Sequence, residues 1–175
     1  YYAEKLRQNK FNFDDELLQP YFKLEKVIDG VFKTAQELFG LTFKLNAQIP
    51  VYHEEVKAYE VWEDQELKAI FLADYFPRSG KRPGAWMTSY RGQKKVNGQR
   101  IIPQVSIVCN FTPSADNRPS LLKFDEVKTL FHEFGHALHG MLANTTYESL
   151  SGTSVPWDFV ELPSQTLENW WYEPE

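Results

Sequence analysis

The sequence predicts a mainly helical α+β fold in which a small β-sheet lies beside a helix carrying His132-Glu133-x-x-His136. Three observations carry that expectation. Apolar residues recur at three- and four-residue spacings over residues 20–40 and again over 125–142, the period of a helix with one buried face. Between them, residues 41–111 break into short runs rich in β-branched and aromatic residues, the composition of strands. The 175 residues are 42% hydrophobic and 15% aromatic, enough to build one core and to make a single domain the expectation.

Taken in order, a short helix is expected over residues 2–8, joined by a polar, Pro-containing segment from Asn12 to Pro20. Tyr21, Leu24, Val27, Ile28, Val31, Phe32, Ala35, Leu38 and Phe39 then mark an amphipathic helix that ends at Gly40. Strands are expected at Val56–Trp62, Leu67–Phe76 and Val105–Phe111, with loop chemistry at Pro77–Gly84 and Gln93–Gln99. Asp125–Leu142 reads as helix. Ser154-Val155-Pro156 reads as the cap and first turn of a last helix running toward Trp171, with Glu161 inside it. Pro163 either kinks that helix or marks its first turn. Gly135 inside the His-Glu motif costs about 1 kcal/mol of helix propensity relative to Ala, which implies another backbone packed closely on that face. The chain thus divides into a helical part (1–40), a sheet (41–111) and the motif helices (120–175).

Composition narrows the function classes. A net charge of -5, with no long run of Lys or Arg, argues against nucleic acid as a partner. No apolar stretch approaches the roughly 20 residues that span a bilayer, so no membrane partner is expected. The lone Cys109 cannot staple the chain and reads as a small buried hydrophobe suited to a reducing cytoplasm. Because the chain begins at Tyr1 without a leader pattern, it reads as an internal piece of a longer protein.

The motif carries the chemistry. Two histidines four apart lie one helical turn from each other and can share a tetrahedral metal, while Glu133 is placed to take a proton from a water that the metal activates. Two histidines alone make too open a site. A further His six residues after the second, with Gly halfway, would serve in one class of zinc enzyme, but those positions hold Leu142 and His139. His139 is expected to pack at the helix end. Another class takes a Glu from a following helix, and Glu161, 25 residues beyond His136, is the expected third ligand. One Zn2+ per chain suits this set, although cobalt or manganese fits the same geometry. Asp158 and Glu168 lie three before and seven after Glu161, and both are candidates to accept a proton from a ligand imidazole. The group His53, Glu54 and Glu55 reads as a solvated turn. Ser151-Gly152-Thr153 either covers the site or simply connects the helices.

Beyond the motif, Thr129-Leu-Phe-His-Glu-Phe-Gly-His-Ala-Leu-His139 resembles the active-site helix of the thimet oligopeptidase family of zinc metallopeptidases, the oligopeptidase A and peptidyl-dipeptidase group. Leu150 through Gln165, Glu168-Asn-Trp170, Gly80 through Arg91, and Val108 through Thr112 are similar to segments of the same family, and the likeness covers nearly the whole chain. The resemblance implies a zincin-like catalytic region of the gluzincin kind, with zinc held by His132, His136 and Glu161. It implies Glu133 as general base and then as proton shuttle to the leaving amine. Oligopeptide substrates follow from the deep channel that family members enclose between two helical lobes. The remaining lobes of the parent enzyme are then partners of this region, including a downstream Tyr and His that stabilise the oxyanion.

The segment Gly84-Ala85-Trp86 resembles the family's edge strand, and its small residues would let a substrate backbone approach. An ordinary edge strand that begins with Gly is the competing reading. Three functions stay open: an oligopeptidase that cleaves internal bonds, a peptidyl-dipeptidase that releases C-terminal dipeptides, and a zinc-binding region that is catalytically incomplete or purely structural.

Overall fold

The computed structural model describes residues 2, 5, 6, 18–114 and 118–172. Of the helix expected over residues 2–8, Tyr2, Lys5 and Leu6 are helical, and the rest lies outside the described residues.

Helix α1 spans Leu24–Phe39 and stops at Gly40, whose φ of 69° is left-handed and whose N–H reaches the Ala35 and Gln36 carbonyls. This is a glycine C-cap. The helix starts four residues later than its apolar period because Pro20 sits in a separate 3-10 turn, Gln19–Tyr21. The Leu24 N–H then bonds to Ser120 O, and Phe22 O accepts from Leu122 N–H. Leu24, Val27, Ile28, Val31 and Ala35 are the buried face of α1.

Five strands form the main sheet: β1 (Leu41–Leu45), β2 (Lys57–Glu63), β3 (Glu66–Asp74), β4 (Trp86–Arg91) and β7 (Gln104–Val108). Their order is β1-β2-β3-β7-β4, which leaves β4 on an edge. Strands β1 to β3 are an antiparallel meander, β7 runs parallel to β3, and β4 returns antiparallel along β7. The segment Gln93–Gln99, read as loop, is instead a second small sheet in which β5 (Lys94–Val96) pairs with β6 (Gln99–Ile101). Asn97 and Gly98, at φ of 50° and 79°, make the turn. Asn-Gly between two short runs is the hairpin signal that the composition reading passed over.

Helix α2 (Phe124–Met141) lies against the sheet. Phe134 from α2 meets Phe71 of β3 at 5.6 Å edge-on, and Phe32 of α1 stacks on Phe43 of β1 at 4.2 Å. Tyr59 joins the same aromatic cluster. The start of α2 is capped from within: Glu126 accepts from the Lys123 N–H at 2.7 Å and the Thr112 N–H at 2.9 Å.

The last helix is shorter than expected. Ser154-Val155-Pro156 leads into turns, not helix, and α3 occupies Leu162–Glu168, followed by a 3-10 turn over Asn169–Tyr172. Pro163 marks the first turn, and Glu161 is the N-cap instead of an interior residue. Pro lacks the N–H that a helix interior requires, so α3 can only begin at its door. With two long helices, one short one and seven strands among the described residues, helix and strand are close to balanced. The fold is mixed α+β, less helical than its period pattern suggests.

Candidate metal centre

His132 and His136 occupy successive turns of α2, their rings edge-on with centroids 4.9 Å apart. Glu161 reaches them from the start of α3. Its Oε2 lies 3.2 Å from His132 Nε2 and 3.0 Å from His136 Nε2, and one donor atom from each residue falls within 4.8 Å of the others. Two imidazole nitrogens and a carboxylate oxygen converging on one point is the donor set of a zinc ion.

Two small residues make that convergence possible. A Cβ on Gly135 would sit 2.6 Å from Ser164 Cα and 2.8 Å from Pro163 O. Helix α3 therefore lies directly on the backbone of α2 at Gly135, as the cost of a mid-helix glycine implied. Buried Ser164 then fixes the carboxylate, its Oγ lying 2.8 Å from Glu161 Oε2 and 2.9 Å from Glu161 O. The Ser164 bond, together with the nearby imidazoles, holds the Glu161 carboxyl below its ordinary range despite some burial. Burial lowers the His136 imidazole, so that it is neutral and has a lone pair to offer. Its buried Nδ1 has no hydrogen-bond partner in the structure.

Glu133, on the same helix, is 6% exposed. Burial pushes its carboxyl up to about 7, against the pull of His132 and with a further push from Glu161. A carboxylate poised there suits proton transfer at neutral pH. A divalent cation beside it would draw the value back down. Glu133 shares a cleft of about 420 Å³ with Ala85, Asp125, Lys128, Thr129, His132 and Glu168.

Of the two outer carboxylates, Glu168 meets one of the paired imidazoles: its Oε1 lies 2.6 Å from His132 Nδ1, and its Oε2 lies 3.2 Å from Lys128 Nζ. Burial raises Glu168, but the bonds from His132 and Lys128 outweigh it and leave the carboxyl low. Asp158 does neither. It is exposed in the turns before Glu161, while the Nδ1 atoms it was expected to reach face Glu168 in one case and no partner in the other. Residues 157–161 form turns, so Asp158 and Glu161 do not share a helix face.

His139 stays out of the group. Its ring meets Phe159 edge-on at 6.3 Å, and burial lowers its pKa. Of Gly84-Ala85-Trp86, Ala85 lines the cleft, while Trp86 opens edge strand β4 with the Arg82 guanidinium 4.9 Å over its ring. Gly152 lies against the backbone of α2, since a Cβ there would come 2.9 Å from Gly140 Cα. Sequence reasoning missed Ser164 and Lys128. Both carried a signal: Ser164 stands three residues past Glu161, and Lys128 stands one turn before His132.

The pattern described as peptidase family M3 matches residues 1–175, the whole chain. The chain belongs to peptidase family M3. Among its relatives, it is 46% identical to the dipeptidyl carboxypeptidase of Salmonella typhimurium over 99% of this chain and 26% of that protein. It is 44% identical to oligopeptidase A of the same organism over 100% of this chain and 26% of the relative. Organellar oligopeptidase A of Arabidopsis thaliana is 41% identical over 98% of this chain and 23% of its own length. The chain spans about a quarter of the length of these M3 relatives. Among the described residues, no helix is long and apolar enough to cross a membrane.

Proposed function

We propose that the chain is the metal-binding region of a zinc-dependent peptidase that hydrolyses peptide bonds in oligopeptides. The observation that carries the reading is the approach of His132, His136 and Glu161 donor atoms to within 4.8 Å of one another beside buried Glu133. Zinc, when bound, supplies Lewis acidity that polarises the scissile carbonyl and activates water.

The chain's own residues do the rest. His132 and His136 present Nε2, and Glu161 presents Oε2, as the ion's holders. Glu168 accepts the Nδ1 proton of His132, fixing the tautomer that leaves Nε2 free. Ser164 keeps the Glu161 carboxylate turned toward the histidines. Glu133 takes the proton of the attacking water on a carboxylate oxygen and delivers it to the leaving amine. The segment Gly84-Ala85-Trp86, which leads into the β4 edge, holds the peptide extended through backbone bonds, which ignore side-chain identity. Burial of the lone thiol, Cys109, suits a reducing compartment such as the cytoplasm.

The test is zinc content together with cleavage of a quenched fluorescent oligopeptide, for wild type and Glu133→Gln. About one zinc per chain is expected in both. Cleavage should be confined to wild type, with a loss of about 10²–10⁴-fold in the variant. Absence of zinc after reconstitution overturns the ligand set, and equal cleavage by both overturns the role of Glu133. Zinc in both with cleavage in neither marks a metal-binding region whose oxyanion-stabilising groups lie elsewhere. Product masses separate internal cleavage from release of C-terminal dipeptides, the activities that the names of the relatives divide between them.

A further inference from the structure

The loop of residues 75–85 carries the chain from the end of β3 to the start of β4, and two side chains whose hydrogen bonds go to that loop and its start hold it in place. The first is Lys81, whose side chain is 4% exposed. Its ammonium donates to Asp74 O at 3.2 Å, Asp74 Oδ1 at 2.8 Å and Phe76 O at 2.6 Å, which uses all three protons. Buried Asp74 also takes both Arg78 nitrogens at 2.8 Å and the Tyr52 hydroxyl at 3.0 Å. Burial pushes the Asp74 carboxyl up, but the bonds from Arg78, Lys81 and Tyr52 prevail and hold it low.

The second is Asn110, two residues past β7. Its Nδ2 donates to Arg82 O at 3.0 Å and Gly84 O at 2.7 Å, so both amide protons go to loop carbonyls. Gly84 stands at φ of 97°, where other residues are strained. Ala85 follows directly and lines the cleft with His132 and Glu133. Lys81 and Asn110 thus clamp the loop at both ends, and none of their hydrogen bonds reaches the metal group. A buried ion cluster offsets little more than its own desolvation, so its larger effect is on geometry.

We infer that Lys81 and Asn110 are positioning residues that set the Gly84-Ala85 edge at the distance from the metal group where an extended peptide is held for cleavage. The inference rests on the peptidase reading above. It requires that their loss weaken peptide binding while the metal site itself is untouched, since a misplacement of about 1 Å in a positioning element can cost on the order of a hundredfold.

The experiment compares Lys81→Met and Asn110→Ala with wild type in the intact polypeptide. Three affinities are measured: for zinc, for acetohydroxamate, which contacts the metal alone, and for a peptidyl hydroxamate long enough to lie along β4. Both variants should bind the peptidyl hydroxamate at least about tenfold more weakly, with zinc and acetohydroxamate affinities within about twofold of wild type. On a cleavable peptide, KM should rise more than kcat falls. Asn110→Ala keeps the test decisive if loss of the buried ammonium unfolds Lys81→Met, because it removes only loop bonds. Wild-type affinity for the peptidyl hydroxamate in both variants overturns the inference, and so does an equal loss of both hydroxamates. If wild type binds zinc but no peptidyl hydroxamate, the peptidase reading falls and takes the inference with it.

Discussion

Two polar clusters in this chain use similar residue types and arrive at opposite states. Around Asp74, a side chain 1% exposed, the carboxylate meets two cations and a phenol, and the Lys81 ammonium is fully bonded. Around Glu161, 49% exposed, two imidazole nitrogens face one carboxylate oxygen, and buried His136 Nδ1 has no partner. The first cluster is complete with the protein's own groups. The second brings together two imidazole nitrogens and a carboxylate oxygen, a donor set that could hold a divalent cation. A cluster that satisfies its own charges acts as a frame, whereas converging donors beside a cleft make a candidate site.

Removing the anion from the complete cluster is expected to have the largest effect. Asp74→Asn leaves Arg78 and Lys81 without their counter-charge and should cost about 3–5 kcal/mol at pH 7. Because the folded-state carboxyl lies below its ordinary 3.8, its contribution is present above that value and is lost as pH falls through the folded pKa. Denaturant unfolding should therefore show the gap between wild type and variant closing below about pH 4. An equal gap at pH 7 and pH 3 would contradict the ionic account of the frame.

The open cluster should respond to metal instead. Zinc at about a thousand times its dissociation constant is expected to add about 4 kcal/mol of stability. Glu161→Ala should abolish most of the accompanying rise in Tm while changing the metal-free protein by no more than about 0.5 kcal/mol, as for an exposed side chain. A large loss of metal-free stability in that variant would mean that Glu161 belongs to the frame as well.

The same contrast explains what could be read from the sequence. Helices α1 and α2 were legible because burial imposes a period on them, and Gly40 announced its own end. The histidine spacing was legible for the same reason: one helix fixes both positions. Glu161 was found by its interval from His136, but its helical context was misjudged, because Ser154-Val155-Pro156 resembles a helix start and Pro163 makes the real one. Asp158 failed with that assumption. The β5–β6 hairpin was hidden by its polar composition, although Asn97-Gly98 signalled it. The Lys81 and Asn110 bonds were invisible. They join a side chain to backbone carbonyls that only the folded loop brings near, and no period or motif records such partners.

The smallest effect concerns the bond that links frame to site. Glu168 Oε1 stands 2.6 Å from His132 Nδ1, and Glu168 Oε2 stands 3.2 Å from Lys128 Nζ, an ion pair whose lysine side chain is 44% exposed. An exposed pair of that kind contributes little, whereas a carboxylate accepting the outer proton of a ligand imidazole raises the basicity of the nitrogen that faces the metal. Glu168→Gln should therefore weaken zinc binding by about 10–100-fold, with Lys128→Gln nearly neutral. Competition against a zinc chelator measures both. If Lys128→Gln weakens zinc as much as Glu168→Gln, the orientation of His132 depends on the lysine as well, and the boundary between frame and site lies one residue farther out along α2.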